Sequence, residues 1–134
     1  MRVSVLITLL IVLLFYNCSG NSYKKMSVEN PEKLLSIQDS LLSVRANDQN
    51  IVDALVVANN NLAKKHMSQG EDVLAIEYFK KARALNNQDI ISKYGLLISE
   101  GKLLIGKGNK NGIWDAIEKF SEASTLYPNN GEPF

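Results

Sequence analysis

One cysteine, one histidine and one tryptophan occur in 134 residues, with only three prolines. A lone cysteine, Cys18, excludes an intrachain disulfide framework. A lone histidine, His66, lacks the second His or free Cys that common metal and acid–base sites require. Few prolines among many Leu, Ile, Ala and Lys favour an all-helical fold. An excess of one charge is also missing, with 15 basic side chains against 14 acidic ones. Losing residues 1–17 removes Arg2 and no acid, so the mature chain is close to neutral. A nucleic-acid binder needs a basic face, which argues against that class. Charged residues at 22% and hydrophobic ones at 46% suit one small folded domain.

Two catalytic patterns fail on inspection. Gly101-x-x-x-x-Gly106-Lys107 has the spacing of a phosphate loop, but Gly108 follows instead of the Ser or Thr that holds Mg²⁺. The run before it also reads as helix rather than strand. Glu77 and Glu118 could pair as carboxylates, yet both recur inside a repeated phrase, which favours a structural role. No enzyme activity, cofactor or metal is expected.

That phrase is what the chain does have. Ala75-Ile76-Glu77-x-Phe79-x-x-Ala82-x-x-Leu85 returns as Ala116-Ile117-Glu118-x-Phe120-x-x-Ala123-x-x-Leu126, each pair 41 residues apart. Self-similarity at a fixed period of tens of residues marks a helical array. Steps of three and four put Ala75, Phe79 and Ala82, and again Ala116, Phe120 and Ala123, on one helix face as the repeat core. The small alanines admit a neighbouring helix and the Phe fills the space between.

The phrase resembles helix B of the tetratricopeptide repeat, with Pro128 where that family ends its repeat and Asn87 in the same place in the first copy. Gly70 sits where the family turns, and Leu62-Ala63 where it has Leu-Gly; Leu103-Leu104 stands there in the second copy. The resemblance implies antiparallel helix hairpins stacked as a short right-handed array of about five helices. A period of 41 exceeds the family's 34. The added length must lie in helix A or in the turn after it. Gly106 to Gly112 reads as a stretched turn of that kind.

Residues 1–17 read as an export signal. Arg2 precedes an apolar run over 3–15 that is too short for an ordinary spanning helix of about 20 residues. Cys18 follows at once and resembles the acylated cysteine of bacterial lipoproteins, although Asn17 and Phe15 depart from the usual box. The resemblance implies lipidation at Cys18 and a membrane-anchored place in the bacterial envelope, periplasm-facing or on the outer membrane. A plain secretory signal and a retained N-terminal anchor are the alternatives. Either would give a soluble or anchored adaptor without lipid.

Residues 18–30 are polar and read as a flexible tether, and 31–46 as one capping helix. Repeat one then covers 51–87 and repeat two 90–128, with a tail over 129–134. Gly95 and Gly101 either weaken the helix from Ile90 or admit a close neighbour. In the array the resemblance implies, helix A lines a groove, which makes Asn59, Lys65 and His66 groove contacts for a partner protein. Lys107 and Lys110 form a basic loop open to contact. No capping helix is read after Leu126. The last helix should therefore expose an apolar edge for a partner or a second copy.

Overall fold

The computed structural model describes residues 22–127, and these are helical with no strand among them. Residues 22–29 form α1. There follow α2 (Pro31–Ser36), α3 (Gln38–Arg45), α4 (Gln49–Ser68), α5 (Asp72–Leu85), α6 (Ile90–Gly106) and α7 (Lys110–Leu126). The leader, Cys18, Pro128 and the tail lie outside the described residues. Among the described residues seven helices stand where about five were expected, because two changes occur at the N-terminal end.

The first change concerns the expected tether. Residues 22–29 are helical, and Ser27 is fully buried. Tyr23 and Met26 pack against Leu34, Ile51 and Leu55. Two apolar residues three apart make too short a stripe to be read against a polar background. Secondly, the capping helix is divided at Ile37, whose backbone (φ −108°, ψ 8°) leaves the helical region. The bend lets Leu35, Leu41 and Leu42 all reach the cluster built on Leu34. Asn30 starts α2 by accepting the Lys33 N–H at 3.2 Å, with Pro31 in the first turn where its missing N–H costs nothing.

From α4 onward the chain is a series of hairpins. α4 packs on α5, α5 on α6 and α6 on α7, while α2 lies on α4 and α4 also touches α6. Short turns of a few residues make consecutive helices antiparallel. Each start is capped by an Asx side chain where one is present: Asp48 on the Asn50 N–H, Asp89 on that of Ser92, Asn109 on that of Gly112. Gly70 (φ +76°) and Gly108 (φ +66°) take the left-handed conformation that ends α4 and turns the chain into α7. The extra length of the period is shared between α6, which has 17 residues, and the start of α7, which begins six residues before Ala116 where α5 begins three before Ala75. The stretched turn expected over Gly106 to Gly112 is absent. α7 already begins at Lys110, capped by Asn109.

The repeated phrase does the same work twice. Ala75 and Ala116, and Ala82 and Ala123, are all buried. Phe79 is fully buried against Ala63 and Ala75. Its ring also lies on Gly95, where an added Cβ would come within 2.1 Å of it. Phe120 lies on Gly101, where an added Cβ would come within 2.5 Å. The two glycines of α6 are thus seats for the two phenylalanines, one from each flanking helix. Close approach is what they supply, at a cost in helix propensity of about 1 kcal/mol each. Gly112 lets the start of α7 approach the backbone of α6 at Leu104, the position where the first repeat has Ala63. A Cβ on Gly112 would stand 2.8 Å from the Leu104 carbonyl oxygen.

Three asparagines in the middle of α4 offset their mediocre helix propensity by hydrogen bonding. Asn60 Nδ2 donates to Asp89 Oδ2 at 2.8 Å, fixing the cap of α6 to α4. Asn61 Nδ2 donates to the Ser27 carbonyl at 3.0 Å, which holds α1 in place. Asn59 Nδ2 turns back to the Leu55 carbonyl at 2.9 Å.

Candidate functional site

A groove of about 250 Å³ lies over α4, between α2–α3 and α5. Asn59 and Leu62 come from α4, and Tyr78 and Lys81 from α5. Glu32, Leu35, Gln38 and Asp39 form the opposite wall. The spacing of Asn59 and Leu62 sets one face of α4 towards this groove.

An aromatic shelf closes one side. The His66 ring stacks on Tyr78 with centroids 5.4 Å apart and planes 5° from parallel. His66 Nδ1 meets Glu71 Oε2 at 2.5 Å, tying the end of α4 to the start of α5. Lys81 Nζ stands 4.8 Å from the Tyr78 ring centre and pairs with Glu77 at 2.9 Å. That hydrogen bond from Lys81 holds the Glu77 carboxyl below its ordinary pKa. Across the groove Lys65 donates to Glu32 at 3.0 Å, and this bond lowers the Glu32 carboxyl likewise. Both pairs are exposed, so each contributes little to stability.

Asn59 is fully buried and its Oδ1 has no hydrogen-bond partner. The O and N positions follow from the bond its amide makes to Leu55. An unpaired carbonyl oxygen is costly unless a donor reaches it. The groove therefore offers an aromatic shelf, a cation and two flanking carboxylates, Glu32 and Asp39, while the Asn59 Oδ1 is buried away from solvent. The groove is equipped for hydrogen bonding and apolar contact. Glu77 and Glu118 lie on different helices, α5 and α7, and both are exposed.

Of the contact residues expected from sequence, Asn59, Lys65 and His66 share α4, but only Asn59 lines the groove. Lys65 and His66 are engaged in the pairs just described. Lys107 and Lys110 belong elsewhere, at the turn between α6 and α7, and both are exposed. Tyr78, Lys81 and Gln38 were missed. The Glu77–Lys81 spacing of four was legible as a helix pair. The stacking of His66 on Tyr78 was not, because it depends on the register of the α4–α5 hairpin.

The last helix does expose an apolar edge. Ile113, Trp114 and Ile117 are 47%, 62% and 50% accessible. Among the described residues no helix is long and apolar enough to cross a membrane. No protein-family model, curated protein or solved structure matches this chain.

Proposed function

We propose that the chain is a non-catalytic protein–protein interaction module, a tetratricopeptide-like right-handed array held at the bacterial envelope by an acylated Cys18. The observation that carries the reading is the equivalence of the two phrase copies: the same alanines are buried in both, and each Phe rests on a glycine of α6. Arrays of this kind bury a continuous core by stacking units and leave long surfaces for partners. The support for the anchor is the apolar leader that runs directly into Cys18. One acyl chain gives only marginal attachment, whereas two or more hold a protein on a membrane.

The partner surface of this reading is the groove over Asn59. A photo-reactive residue in place of Gln38, on the groove wall, is expected to cross-link a defined protein in envelope preparations. The same residue in place of Val44, 79% accessible and outside the groove, should not. Equal labelling from both positions would remove the groove from the account.

A further inference from the structure

The turn between α6 and α7 combines a run of lysines with exposed apolar side chains. From Lys102 to Trp114 the chain carries Lys102, Lys107 and Lys110 and no Asp or Glu. Within a turn of the connection, Leu103 (39% accessible), Ile105 (51%), Ile113 (47%) and Trp114 (62%) stand exposed. Gly106 and Gly108 have open space where side chains would be, so the rest of the fold does not cover this tip. Of the flanking carboxylates, Glu100 is engaged by Lys119 at 2.8 Å, while Asp115 and Glu118 are exposed on α7 beside Trp114 and leave the lysines of the turn itself unopposed in sequence. By contrast, the equivalent α4–α5 turn carries Glu71 and Asp72, so a cationic tip is not a general feature of these hairpins.

We propose that the α6–α7 tip docks on an anionic bilayer surface, with Trp114 and its aliphatic neighbours in the headgroup layer and Lys102, Lys107 and Lys110 towards the lipid phosphates. Charge complementarity selects this occupant. Exposed aliphatic and Trp side chains beside lysines match the interfacial zone, where an amphipathic ring and a long-stemmed cation each find their preferred surroundings. A convex tip also needs no shaped pocket in a fluid headgroup layer, whereas a protein partner would have to supply one. The contact is additional to the acyl anchor and does not depend on it.

Trp114 is the only tryptophan, so its fluorescence reports the tip directly. The full chain is reconstituted with phosphatidylcholine vesicles carrying brominated acyl chains, with or without phosphatidylglycerol. Flotation reads attachment separately, because an acyl anchor would attach the chain to both compositions. The expected result is a blue shift and bromine quenching of Trp114 on the anionic vesicles alone, reversed by salt. Each Lys→Gln substitution at 102, 107 or 110 should lower the insertion equilibrium about fivefold, with helical content unchanged. Emission that is identical on both compositions would overturn the proposal even if flotation shows attachment. So would a blue shift that appears without vesicles and grows with protein concentration, which would make the tip a contact between copies.

Discussion

Phe79→Ala is expected to cost about 4 kcal/mol and to lower the melting temperature by roughly 15–20 °C. The ring is fully buried and rests on Ala63, Ala75 and Gly95. Two of those neighbours end at Cβ and the third has none, so only the partly buried Met67, Tyr78 and Leu96 at the edge of the cluster can shift towards the space. A cavity persists, and residual cavity volume is what raises the cost of a large-to-small change. Total stability for such a domain is about 5–15 kcal/mol, so this one substitution removes a large part of it. Phe120→Ala should cost less, about 2 kcal/mol, because that ring is only partly buried. Thermal unfolding followed by circular dichroism measures both. A Phe79→Ala loss under about 1 kcal/mol would contradict its place in the core.

Gly95→Ala should destabilise by about 2 kcal/mol, although Ala is better than Gly inside a helix by about 1 kcal/mol. The reversal of sign follows from geometry. The new Cβ would stand 2.1 Å from the Phe79 ring, closer than any real contact, so α5 and α6 must separate or the ring must leave its position. Gly106 provides the control. Nothing lies within 4 Å of a Cβ built there, and Gly106→Ala should be neutral or slightly stabilising. Combining Gly95→Ala with Phe79→Leu should recover stability relative to the sum of the single changes, by about 1 kcal/mol or more. Additive single effects would mean that the two residues do not meet.

The pairing of Phe79 with Gly95 also shows where the sequence could be read and where it could not. The helix faces were legible, because Ala75, Phe79 and Ala82 recur with their copies at one period; the alanines are buried in both copies, Phe79 fully and Phe120 in part. The role of the glycines was not. Gly95 and Gly101 lie on α6, and which helix approaches them depends on packing between elements, not on any local pattern. The roles of Asn60 and Asn61 were not legible either. Their partners at Ser27 and Asp89 are 34 and 29 residues away from Asn61 and Asn60, beyond any helical period. α1 escaped for a related reason. Tyr23 and Met26 form no recognisable stripe until Leu34 and Ile51 are present to receive them. At the groove, Asn59 was identified from its place on helix A, while Tyr78 and Lys81 arrive from α5 through the hairpin turn at Gly70.

The measurement that bears most directly on the proposed membrane-tethered module is the intact mass of the chain recovered from the membrane fraction of a bacterial host. The account requires a chain that begins at Cys18 and carries the added mass of a glyceride and its acyl groups. A chain beginning near Ser19 without lipid, recovered in the soluble fraction, would contradict it, and so would an unprocessed chain that still begins at Met1.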